Sequence, residues 1–333
     1  VEQIDTEHDL ELQFYNAGGA VAAFTDHNAL VAQVIRDASG AVVYAGETRA
    51  DYDVVMLLED GVWHVRHWLR RDAASSPASV APSSRPGFVV RDGARLLLDG
   101  QPFQIAGVDY YPRNTPWDKF WAGYSSAETD RDLTLVRSLG LNTVRTFIPF
   151  QQFGGPKPEP AMLDRLQDFL DRAEVNRVKV ILTLFDFRTD YRPLLWPESD
   201  RHAEALLARF RDHPAVLAWD LKNEPNNDYA ASGRATVDAW LAHTARVARA
   251  ADPNHLITIG WLGPDAAHNL AGEVDFISFH FFAPADQLAA GYAELRARAP
   301  GKPIAMTEFG LPTWNSIFPN GHSEAEQARY YAD

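Results

Sequence analysis

From residue 88 onward, short apolar runs take turns with amphipathic stretches. The runs QIAGVD, NTVRTF, VKVILTLF, AVLAWDLK, LITIGW, DFISFH and PIAMTEF are each six to eight residues long. Continuous apolar runs of that length suit strands buried on both faces. Between them apolar positions recur at helical spacing. Over 161–176, Leu163, Leu166, Phe169, Leu170 and Ala173 share one face, and a second such stretch covers 235–251. Strands and helices in strict alternation predict an α/β fold with a parallel sheet.

The first 72 residues follow a different pattern. ALVAQVIRDASGAVVYAGETR and YDVVMLLEDGVWHVRHWLRR each consist of two extended runs around a turn, the second turn being Asp60-Gly61. Such segments predict antiparallel hairpins. Residues 73–87, AASSPASVAPSSRPG, have the composition of a linker. The expected organisation is a small β-rich domain over 1–72, a linker over 73–87 and an α/β domain over 88–333, which opens on its own hairpin, FVVRDGARLLLDGQPF. The end of the first domain resembles that of a nuclear-transport-factor-2-like domain, and a carbohydrate-binding β-sandwich is the alternative.

Spacing refines the α/β fold. With strand ends taken at Asp109, Phe147, Phe185, Lys222, Trp261, His280 and Glu308, the gaps are 38, 38, 37, 39, 19 and 28 residues. A (β/α)8 TIM barrel averages about 30 residues per unit, so a barrel fits better than an open sheet. An eighth strand is expected roughly 30 residues beyond Glu308, yet Asp333 falls in the expected seventh helix. Either the eighth unit is missing from this sequence or another segment takes its place; the first is the expectation.

Composition narrows the function. The net charge of −14 argues against nucleic acid or an anionic membrane surface as the partner. There is no cysteine, hence no disulfide. No apolar run approaches the ~20 residues that span a bilayer. Val1 is not a natural start, and a piece of a longer, secreted or cell-surface protein is expected. The eleven histidines form no ligand motif such as His-Glu-x-x-His, so neither metal nor cofactor is expected. YNAGGAV lacks a strand-to-helix phosphate cradle, and no Gly-x-Ser-x-Gly elbow occurs.

Chemistry in such barrels sits at the C-terminal rim of the strands. The rim carries Tyr110 and Tyr111 after Asp109, then Arg145, Asp186, Asn223, Glu224, Trp261, His280 and Glu308. Glu224 and Glu308 end the fourth and seventh strands, which face each other across a closed barrel. Glycoside hydrolysis needs such a pair: one carboxyl protonates the departing oxygen, the other attacks or assists at the sugar carbon. Proximity also helps split their proton affinities.

LKNEPNND and MTEFG resemble the acid/base and nucleophile motifs of the retaining (β/α)8-barrel glycoside hydrolases of clan A. LLLDGQPFQIAGVDYYPR is similar to the start of family 5 catalytic domains, the cellulase and mannanase group. The likeness spans about residues 88–333. It implies retaining hydrolysis of β-glycosidic bonds in oligo- or polysaccharides, with Glu224 as acid/base and Glu308 as nucleophile. It also implies that Asn223 binds the sugar 2-hydroxyl, that Arg145 sits beside the nucleophile, and that His280 is the sixth-strand histidine. Tyr110, Tyr111, Trp261, Trp314 and Asp186 complete the expected substrate-binding set. Two positions depart from the family pattern. Phe282 stands where a tyrosine hydroxyl often reaches the nucleophile, and Asp186 stands where a histidine is common. The family's eighth-strand tryptophan falls in the unit expected to be missing from this sequence, and Trp314, in the loop after the seventh strand, is expected to serve in part. Of the rim tryptophans 117, 121, 196, 261 and 314, two or three are expected to stack on sugar rings. The departures also allow a second reading, a non-catalytic carbohydrate-binding protein on a degenerate barrel.

Overall fold

The computed structural model describes residues 2–7, 10–16, 21–36, 42–59, 62–71, 85–313 and 322–332. They form two compact units, one comprising Val1–Val80 with Arg192–Pro197 and the other Ala81–Tyr191 with Glu198–Asp333.

The first unit holds a five-stranded antiparallel sheet of β1 (Glu2–Glu7), β2 (Leu10–Asn16), β3 (Val21–Arg36), β4 (Val42–Glu59) and β5 (Val62–Arg71). The 16-residue β3 is long enough to pair with β2 over one half and β1 over the other, with β4 along its opposite edge. β4 and β5 pair down to Glu59 opposite Val62, the register that a two-residue hairpin connection requires.

The second unit begins with a three-stranded antiparallel sheet, β6 (Val89–Asp92), β7 (Arg95–Leu98) and β8 (Gln101–Phe103). Seven parallel strands follow, hydrogen-bonded in sequence order: β9 (Gly107–Asp109), β10 (Thr143–Phe147), β11 (Lys179–Thr183), β12 (Val216–Asn223), β13 (Leu256–Leu262), β14 (Ile277–Phe281) and β15 (Ile304–Phe309). The helices are α1 (Lys119–Ala122), α2 (Ser126–Ser138), α3 (Pro160–Val175), α4 (Trp196–Phe210), α5 (Tyr229–Ser232), α6 (Arg234–Ala251), α7 (Leu288–Arg298) and α8 (Glu324–Ala332). The result is a nearly closed TIM barrel. Local chemistry starts two of these helices. The Ser125 side chain accepts from the Glu128 amide at the head of α2, and Pro160 occupies the first position of α3.

Val89 and Leu96 pack with Ile181, Leu217, Ala218, Leu256 and Phe276 at the N-terminal end of the barrel. The small sheet therefore plugs the bottom and leaves the other end open for chemistry. β10 and β14 are buried throughout, as strands covered on both faces must be. β9 and β15 are more open. Between them runs a groove of about 1,110 Å³, lined by Val108, Asp109, Arg145, Ile304, Met306 and Glu308 among others. In a fully closed barrel the eighth strand stands at this position; among the described residues it is a groove.

One buried group makes stability depend on pH. His202 in α4 keeps its proton on Nδ1, 2.7 Å from the Gly155 carbonyl, and its ring packs on Phe150 and Phe185 at 4.8 and 5.5 Å. Burial pushes it down to about 4. As pH falls below the unfolded value near 6.5, the unfolded chain takes up a proton that the folded one refuses until about pH 4. Stability present at pH 7 is therefore lost on acidification, by about 2–3 kcal/mol at pH 4.5. Urea unfolding at both pH values should show this loss, and His202→Gln should remove that share of it.

Candidate active site

Arg145 is the one charged residue of β10, and it lies inside the barrel, 3% exposed. Its Nε and Nη2 donate to Asp220 Oδ2 at 3.0 and 2.7 Å, and Nη2 also donates to Asn223 Oδ1 at 2.8 Å. Nη1 donates to Glu308 Oε1 at 2.5 Å and, more loosely, to Asp109 Oδ1 at 3.4 Å. Asp220, fully buried in β12, is held in turn by the Gly260 amide and the Thr183 hydroxyl, both at 2.8 Å. Burial opposes the guanidinium charge, but the carboxylates of Asp220, Asp109 and Glu308 outweigh it and raise the Arg145 pKa further. The cation is permanent, and it faces Glu308.

Glu224 follows β12 in a left-handed conformation, φ 46° and ψ 51°, with its amide donating to the Gly260 carbonyl at 2.6 Å. A non-glycine residue there carries about 1–2 kcal/mol of strain. The conformation turns its carboxyl onto the barrel mouth. Oε1 lies 2.8 Å from His280 Nδ1, and Oε2 accepts from Asn227 Nδ2 at 2.8 Å. The hydrogen bond with His280 is the main reason its carboxyl sits below the ordinary glutamate value; burial works the other way. His280 Nδ1 is also 3.6 Å from Glu308 Oε2. Glu224, His280 and Glu308 each bring one oxygen or nitrogen within 4.8 Å of the other two. That spacing also suits a three-ligand cation site, but Arg145 already places a positive charge on Glu308 and opposes a second one there.

The profile of the cellulase family, glycosyl hydrolase family 5, matches residues 96–333. The chain belongs to that family. Mannan endo-1,4-β-mannosidase F of Aspergillus clavatus is 23% identical over 298 residues, covering 70% of this chain and 66% of the relative. Mannan endo-1,4-β-mannosidase A of Podospora anserina is 24% identical over 297 residues, covering 71% and 77%. Among solved structures, an exo-β-1,4-mannosidase from an Opitutaceae bacterium superposes with a TM-score of 0.56 at 22% identity, covering 71% of this chain and 50% of that one. The chain thus spans about two thirds of the Aspergillus relative's length and half of the bacterial one's.

Other side chains surround the two glutamates of this family 5 chain. Asp186, 7% exposed, is pushed up to about 6 by burial, against the pull of Lys222 and Arg145. Lys222 Nζ donates to the carbonyls of Asp186 and Asn223 at 2.7 and 2.8 Å, tying the ends of β11 and β12 together. The barrel wall around Asp109 raises its carboxyl to about 7, Arg145 opposing, although the groove leaves 31% of the side chain exposed. Tyr111 stacks between Phe147 (5.5 Å, 6°) and Trp117 (5.2 Å, 30°), and the Arg145 guanidinium lies 4.7 Å over Phe147. An aromatic row thus leads outward from the arginine to Trp117, which is 60% exposed.

Not every expected residue reaches the mouth. Tyr110 is buried against Phe120 and Phe169, with its hydroxyl donating to Asp132 of α2. It sits one step along β9 from Asp109, and strand alternation turns it to the helix layer. Trp261 is 1% exposed and offers no face to a sugar. Trp121, whose indole donates to the Phe147 carbonyl, and Trp196 are buried too. Trp314 lies outside the described residues. Phe282 is exposed, edge-on to His280 at 6.4 Å, and brings no hydroxyl; the short hydrogen bond on Glu308 comes from Arg145 instead. The expected set omits Asp220, Gly260, Lys222 and Asn227, and Asp109 was expected at the rim without a role. Asp220 has a visible signal, a lone acid inside the apolar run AVLAWDLK.

Proposed function

We propose that this chain hydrolyses β-1,4-mannosidic bonds with retention of configuration, Glu308 acting as nucleophile and Glu224 as acid/base. The observation that carries this reading is the carboxyl spacing, with oxygens of the two glutamates within 4.8 Å. Retaining glycosidases hold theirs about 5 Å apart, too close for a water to attack from between them. Glu308 is aimed by the Arg145 guanidinium, which donates to its Oε1. Its carboxylate forms a bond to the anomeric carbon as the glycosidic bond breaks, and Glu224 gives its proton to the departing oxygen. Water then loses a proton to Glu224 and displaces Glu308, completing the second inversion. In the free site His280 favours ionised Glu224. A sugar laid over that carboxyl removes water from it and favours the protonated form, so the acid is formed in the complex.

Mannan as substrate rests on the names of the relatives, and β-glucan and xylan are the competitors to measure. Proton NMR during hydrolysis of an aryl β-mannoside or of mannan should show the β-anomer first. The α-anomer first, or turnover confined to glucan or xylan, overturns the corresponding half of the proposal. Binding to all three without turnover would favour the non-catalytic reading. Trp117→Ala removes the exposed end of the aromatic row and should raise KM for polymeric substrate about tenfold, ~1.4 kcal/mol, with kcat nearly unchanged. An unaltered KM would show that no sugar stacks there.

A further inference from the structure

Gly260 lies within β13, and its φ is not positive, so the backbone does not demand glycine there. The demand comes from its neighbours. A Cβ on Gly260 would lie 3.0 Å from Arg145 Nη2, 3.0 Å from Asp220 Oδ2 and 3.2 Å from His280 Nε2. None of the three has slack. Arg145 is held by Asp220, Asn223 and Glu308, Asp220 by Thr183 and by Gly260 itself, and His280 is fully buried against Glu224. The main chain of the same residue grips both sides of the site: its amide donates to Asp220 and its carbonyl accepts from the Glu224 amide.

We propose that Gly260 is a positioning residue of this active site, its bare Cα setting how closely Arg145 and His280 approach and thereby the separation of the two catalytic carboxyls. The inference rests on the assignment of Glu224 and Glu308 above. An added methyl group must move Arg145, Asp220 or His280 by a few tenths of an ångström. Arg145 carries any shift to Glu308 and His280 carries it to Glu224. Small misplacements of reacting groups are costly in rate.

The test is Gly260→Ala, with Gly272→Ala as control, since a Cβ at Gly272 meets nothing within 4 Å. The control should match the parent. Gly260→Ala should keep its melting temperature within a few degrees and its KM within about twofold, while kcat falls roughly 10- to 100-fold. A purely structural glycine would lower the melting temperature and leave kcat of the folded variant near the parent's. Parental kcat overturns the proposal. So does a variant that fails to fold, since the crowding would then fall on the core and not on these three side chains. Glu308→Gln, assayed alongside, separates this outcome from failure of the nucleophile assignment, which would leave that variant active.

Discussion

Glu308→Gln should lose about 10⁴-fold or more in kcat on every substrate the parent cleaves, with its melting temperature within a few degrees of the parent's. The substitution keeps the shape and removes the charge, and a neutral amide does not form the glycosyl ester. The side chain is 19% exposed and one of several partners of Arg145, so the guanidinium keeps Asp220, Asn223 and Asp109. Glu224→Gln should behave differently. It removes only the proton donor and the later base, so an aryl glycoside with a good leaving group should still pass the first step and accumulate as glycosyl-enzyme. Intact-mass measurement should find one added glycosyl group on Glu224→Gln and none on Glu308→Gln. Parental turnover by Glu308→Gln would refute the assignment.

Asp220→Ala is the variant expected to cost most in stability. The residue makes two hydrogen bonds to Arg145 and one each to Gly260 and Thr183, with no solvent access. Removing one partner of a buried ion pair leaves the other charged and poorly compensated, at about 3–5 kcal/mol. For a domain of this size that lowers the melting temperature by about 6–10 °C. Asp220→Asn keeps an oxygen for the amide of Gly260 and should fall between the two. Calorimetry on the three proteins checks the order, and a melting temperature for Asp220→Ala within 2–3 °C of the parent would show that Glu308 and Asn223 suffice to hold the arginine.

The barrel was legible because parallel strands leave continuous apolar runs. Each expected strand end lies within two residues of the observed one, Phe185 against Thr183 being the widest. The helices expected over 161–176 and 235–251 are α3 and α6 with a one-residue offset at the start. The placement of Glu224 and Glu308 beside each other was legible because strand ends point at the mouth. Side-chain direction one residue further on was not, since it depends on where alternation and loops take over. Tyr110 turned outward while Tyr111 joined the aromatic row. Trp261 shows the same limit: it lies within β13 beside Gly260, and strand alternation buries it. Gly260 was illegible for another reason: its role lies in the atoms it lacks, and only the neighbours' positions reveal that.

The left-handed turn at Glu224 places strain and function at a single position. Glycine would accept that torsion freely but would leave the buried His280 without its partner at Glu224. A thermostable relative that kept the acid would need to recover the increment lost to that torsion somewhere remote.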